Sequence, residues 1–281
     1  MSNFFGSRLA SQLVKSFLIL AIAFLIFSIA VPLGRTELRA IANSMEGSPS
    51  TTLEPNPNSD SLNLPLTTPR VHPLPPSLVW SDPNVDDGSD YFGEIKPTPL
   101  GHLVWSQFPI KIYLDQPQNN LSISEQERFT SWIQAIGQSI QEWQQYLPMV
   151  VVTQATAADI KILRSFPPQR ATRNPSTGVV EIPRAAAAQT RYQFYLQTPE
   201  RKLAHRFTIY LSPSQTPEYT LATARHELGH ALGIWGHSPL ERDIMYFSQV
   251  RTPPPISPRD INTLKRIYQQ PTQLGWPIES K

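Results

Sequence analysis

Residues 17–33 (FLILAIAFLIFSIAVPL) carry no charge, and Arg8 and Lys15 lie before them. A stretch that is apolar on every face has no side to show to water, so it does not read as the surface helix of a globular core. It reads as an export or membrane signal. Its 17 residues sit at the lower edge of the roughly 17 to 25 that cross a bilayer as a helix, while residues 17–27 have the length of a signal-peptide core. Two readings stay open: a signal cleaved after the small residues Ser28-Ile29-Ala30 or at Ala40-Ile41-Ala42, and an uncleaved anchor. In both, the positive charge ahead of the run keeps the N-terminus cytoplasmic and sends Arg35 and all that follows across the membrane.

Residues 1–42 are therefore the signal or anchor, and residues 43–100 read as a linker. Eleven of the chain's 29 prolines fall in these 58 residues, most of them in SPSTTLEPNPNSD, LPLTTP and VHPLPP. Such a stretch has too little apolar content to repay its ordering entropy, and proline biases it toward extended spacer geometry. Residues 78–108 add aromatics, which suit wrapping onto a domain. Asp82, Asn84, Asp86 and Asp87-Gly88 imitate the start of a calcium loop, but Asp87 stands where the loop needs glycine and Gly93 where it needs glutamate, so a solvated acidic turn is the reading.

With 24 Lys and Arg against 22 Asp and Glu, and no basic cluster, the chain lacks the electrostatic footprint of a nucleic-acid binder. The absence of cysteine excludes disulfides, thiolate metal sites and thiol catalysis. Any metal site must be built from His and carboxylates.

The pattern of a globular domain occupies residues 101–281. Ile110, Ile112 and Leu114 alternate with polar residues as a half-buried strand. Ser124 and Glu127 form a capping-box signature, followed at helical spacing by Phe129, Ile133, Ile136, Ile140 and Trp143. Strands are expected at 149–153, 159–163 and 207–211, and less firmly at 179–182 and 192–196. Strand, long helix, strand, strand implies an α+β fold with the helix packed on a sheet. A second helix is expected over 219–233, with Thr216 as N-cap, Pro217 in its first turn and Gly233 as its stop. A last helix starts at Ser257, three residues before Asp260.

The second helix contains His226-Glu227-Leu228-Gly229-His230. One helical turn puts His226 and His230 on the same side, so both imidazoles reach one zinc ion, and Glu227 lies beside the water such an ion would hold. Zinc lowers the pKa of that water to about 7, and a neighbouring carboxylate takes its proton. His237 follows the turn at Gly233 as a third ligand, and Asp243-Ile244-Met245-Tyr246 places a methionine in a turn.

These segments, HELGHALGIWGHS, DIMY and SPRDINTLKRIY, together with ADIKIL and the strand order, resemble the metzincin zinc endopeptidases, and among them the matrixin-like family. The resemblance covers about residues 105–270. It implies a metzincin-like α+β domain: a twisted, mostly parallel sheet on a long helix and an active-site helix, with a small C-terminal helical subdomain. It implies zinc on His226, His230 and His237, Glu227 as general base, Met245 as apolar floor, and hydrolysis of protein or peptide substrates. Asp243 and Tyr246 would lie around the site, and residues 246–256 would set side-chain selectivity. In the family the third histidine comes ten residues after the first; here Gly236 holds that place and His237 the next. Gly236 is expected to absorb the extra residue as a bulge through positive φ.

Two other classes fit the same residues. One is an envelope-attached binding module whose histidines hold zinc without turnover, although such a site has no need of Glu227. The other is a gluzincin-type peptidase with a distant glutamate, for which Glu241 is the nearest candidate.

Overall fold

The computed structural model of the chain describes residues 54–55, 67–79, 89–168, 172–173, 180–181 and 186–278. The apolar run 17–33 and the acidic turn 82–88 lie outside them. No helix among the described residues is long and apolar enough to cross a membrane.

The fold is α+β. Five strands form one sheet: β1 Ile110–Leu114, β2 Met149–Val152, β3 Ile160–Leu163, β4 Ala188–Gln197 and β5 Lys202–Leu211. Their order is β4-β5-β3-β1-β2, with β4 and β5 antiparallel and every other pair parallel. Glu54–Pro55 add a short parallel pairing at the outer edge of β4, against Arg191 and Tyr192. A separate two-stranded ribbon joins Thr172–Arg173 to Val180–Glu181.

Alternation buries Ile110, Ile112, Ile160, Ile162, Phe207 and Ile209 in one core with the inner faces of two helices. The first, α1, runs Ile123–Trp143 and buries Phe129, Trp132, Ile136, Ile140 and Trp143. Its capping box is Ser122 with Glu125, not Ser124 with Glu127. SISEQE holds two overlapping boxes; the helix begins at the earlier one, so Ser124 falls inside the first turn. The second, α2, runs Pro217–Leu232 from the Thr216 cap to Gly233, whose φ of 131° ends it. There a Cβ would also meet the Leu103 carbonyl oxygen at 2.6 Å, so both conformation and space demand glycine.

α1 braces α2 from behind. Glu142 receives Arg225 Nε at 2.5 Å and Nη2 at 2.7 Å, and Trp143 Nε1 donates to the Arg225 carbonyl at 2.9 Å. A third helix, α3 Pro258–Tyr268, is capped by Ser257 and Asp260. Residues 67–79 and 89–100, proline-rich as they are, lie against the domain: Leu78, Tyr91, Ile95 and Leu100 are buried. Tyr91 donates its hydroxyl to Asp260 at 2.7 Å, and Asp90 pairs with Arg266 at 2.9 Å. Scattered aromatic and aliphatic anchors thus hold a segment whose average composition is that of a spacer.

Trp143 is fully buried between α1 and α2. Trp143→Ala is expected to cost about 3 to 5 kcal/mol in urea unfolding, whereas Val151→Ala, at an exposed edge-strand position, stays within about 0.5 kcal/mol.

Candidate metal centre

α2 carries His226, Glu227 and His230 inward; their residues are 8%, 0% and 0% exposed. His226 Nδ1 lies 2.8 Å from the Ile244 carbonyl oxygen, and His230 Nδ1 lies 2.7 Å from that of Ile234. A carbonyl only accepts, so each Nδ1 carries the proton and each Nε2 is left as a lone pair. Those two Nε2 atoms face each other at 3.0 Å. Neutral rings in these tautomers have no hydrogen to share, so the contact is not a hydrogen bond.

His237 completes the group. Its Nε2 is buried without a hydrogen-bond partner, and one ligating atom from each of the three histidines falls within 4.8 Å of the others. Three convergent imidazole nitrogens, two aimed by backbone carbonyls, fit a divalent cation; tetrahedral zinc would set its ligand nitrogens about 3.3 Å apart. Burial holds all three rings neutral, as ligands must be: His226 is lowered to about 3, His237 to about 4 and His230 well below its ordinary value.

The glycines here are matters of space. A Cβ on Gly229 would meet Met245 Sδ and the ring of Trp143, so this residue lets the thioether pack directly under the helix. Gly236 does not adopt positive φ, contrary to the expectation from sequence. A Cβ there would collide with the Glu94 carbonyl oxygen and meet Ile95 at 3.0 Å. The N-terminal segment presses on the loop that presents His237, and Lys96 N donates to the Trp235 carbonyl at 3.3 Å.

Asp243 is fully buried and sits outside the three-histidine group. It accepts from Ser238 Oγ at 2.5 Å, Ser257 Oγ at 2.8 Å and Arg259 Nε at 3.0 Å, tying the turn to α3. The Ser238 amide donates to the Met245 carbonyl at 2.8 Å. Asp260 receives the Ile244 amide at 3.1 Å, and Ile244 in turn holds His226. The cap of α3 is thus two hydrogen bonds from His226.

A cavity opens beside His226 and Glu227, walled by Ala187, Ala222, Ile244, Tyr246 and Val250. Glu241 also lines it but does not join the histidine group. Tyr246 packs on Phe247. Sequence reasoning missed Thr190, whose hydroxyl donates to Glu227 Oε2 at 2.5 Å. The available signal was a polar residue in phase with Tyr192 and Phe194, outside the expected strand.

No family model matches the sequence, and no curated protein matches it significantly.

Two outcomes follow from this geometry. His205, lowered to about 3, and the site histidines stay neutral in the fold, whereas in the unfolded chain they protonate near pH 6.5. Stability of the metal-free protein is therefore complete above pH 6.5 and falls as the pH drops toward 4. At pH 5, urea unfolding should register a loss of roughly 2 kcal/mol for each of His205 and His226. Gly236→Ala, forced against the Glu94 backbone carbonyl, should weaken metal binding by about tenfold or more in a competition titration and destabilise the metal-free protein by about 1 to 3 kcal/mol in urea unfolding.

Proposed function

We propose that the protein is an exported zinc-dependent metalloendopeptidase of metzincin type, held at or released from the outer face of a membrane by residues 17–33. One observation carries the reading: a buried carboxylate, Glu227, stands next to a ligand in a three-histidine group and borders an open cavity. A site that merely holds a metal gains nothing from a buried acid there. Met245 beneath Gly229, the turn at Gly233 and His237 beyond it support the metzincin assignment. A three-imidazole set suits zinc among the first-row divalent ions, and zinc adds Lewis acidity without redox chemistry.

Zinc, when bound, supplies Lewis acidity toward the scissile carbonyl and lowers the pKa of water. Glu227 takes the proton of the attacking water and delivers it to the amine nitrogen as the C–N bond breaks, so it ends each cycle ionised. His226, His230 and His237 remain neutral throughout. The cavity walled by Ala222, Tyr246 and Val250 accepts a substrate side chain, and the substrates are unfolded or extended protein segments.

The full chain should bind one zinc and cleave an unfolded protein. Glu227→Ala should keep the zinc and lose about 10²- to 10⁴-fold in kcat. His237→Ala should sharply weaken zinc affinity while Glu241→Ala does not. If parent and Glu227→Ala both bind zinc and neither cleaves, a non-catalytic zinc-containing binding module replaces this reading. A collapse of affinity in Glu241→Ala would favour the gluzincin-type arrangement.

A further inference from the structure

Thr190 stands in β4 opposite Ile209 of β5, in the row that turns Ala188, Tyr192 and Phe194 into the core. It is fully buried, as is Glu227, and its hydroxyl proton points at Glu227 Oε2 across 2.5 Å. β-Branching restricts the threonine χ1, so the strand backbone sets the direction of this hydroxyl. That backbone is in turn fixed by ten paired residues between β4 and β5. Glutamate has a long, unbranched stem. Its carboxylate plane is set by what the oxygens bond, and a hydrogen bond to an ionised oxygen is among the stronger kinds.

We propose that Thr190 is the positioning residue for Glu227: it commits one carboxylate oxygen to the sheet and so fixes the plane in which the acid exchanges its proton with water and leaving amine. The proposal rests on the peptidase reading. Thr190 neither gains nor loses a proton in the cycle and touches no reacting atom. It acts by shortening the search of a flexible base for its working geometry, the kind of effect in which small misplacements cost large factors in rate.

The test uses the full chain with Thr190→Val, which keeps the shape and removes the hydroxyl, and Thr190→Ser, which keeps the hydroxyl. Thr190→Val should retain one zinc per chain and its KM on a peptide substrate while kcat falls at least about tenfold; Thr190→Ser should restore most of that loss. A second readout needs no turnover. In the metal-free protein Thr190→Val should lower the thermal midpoint more when Glu227 is present than in a Glu227→Ala background, where only the 3.4 Å contact to the residue-227 carbonyl remains. An active parent whose Thr190→Val variant keeps its kcat, or equal thermal shifts in both backgrounds, overturns the proposal alone. An inactive, zinc-loaded parent instead brings down the peptidase reading.

Discussion

His226 and His230 each donate their Nδ1–H to a backbone carbonyl, which leaves two buried Nε2 lone pairs 3.0 Å apart beside the cavity. Lone pairs at that separation repel, and burial denies both rings the proton that would relieve them. A cation between them turns the repulsion into attraction. The surrounding fold is organised to hold that geometry. One turn of α2 sets the spacing of the two rings, and Glu142 and Trp143 of α1 grip α2 at Arg225, the residue just before the first of them. Ile244, which accepts the hydrogen bond from His226, is itself held by Asp260 at the cap of α3. A long-range network thus aims a pair of atoms that a bare helix would leave free to rotate.

The third histidine depends on different physics. His237 lies beyond the helix, on a loop whose amides at 233–236 bond back within the turn, and takes its place from contacts on either side. On one side Glu94 and Ile95 leave no room for a Cβ at Gly236. On the other, Ser238 is fastened to Asp243 and to the Met245 carbonyl. The segment before residue 101 is therefore part of the centre: it supplies the wall against which the loop is folded. That gives a physical reason for Tyr91, Ile95 and Leu100 to be buried in a stretch otherwise rich in proline.

Local signals were legible where local chemistry decides the outcome. The Thr216 cap, the Gly233 stop, the alternation over residues 110–114 and the helical spacing of the two histidines all rest on contacts within a few residues, and the structure places each as the pattern predicts. What could not be read depends on distant partners. β4 begins at Ala188, four residues before the expected 192, because Ala-Gln-Thr-Arg has no period-2 apolar pattern and pairs only by virtue of β5. Gly236 looked like a conformational glycine; the atom that excludes its Cβ belongs to Glu94, more than 140 residues earlier in the chain. SISEQE carries two equivalent capping boxes, and the reading from Ser124 sets the start of α1 two residues too late. The histidines and Glu227 were legible as residues, while Thr190 was not, since nothing near it in sequence points to an acid on another element.

Glu227 is the group hardest to explain by stability. The same helix buries Ala224, Leu228 and Ala231, and an apolar side chain at 227 would extend that face without desolvating a charge. A carboxylate taken fully out of water is costly unless paired, and even well-paired buried charges are often replaced by apolar residues with no loss of stability. The fold nevertheless keeps the acid and gives it a strand hydroxyl at 2.5 Å. Thr190 follows the same logic, because a valine there would suit its row between Ala188 and Tyr192 at least as well. Two buried polar groups on separate elements, each locally unfavourable and each meeting the other beside a cluster that could hold a cation, are what the proposed peptidase reading asks for and what the needs of folding alone do not.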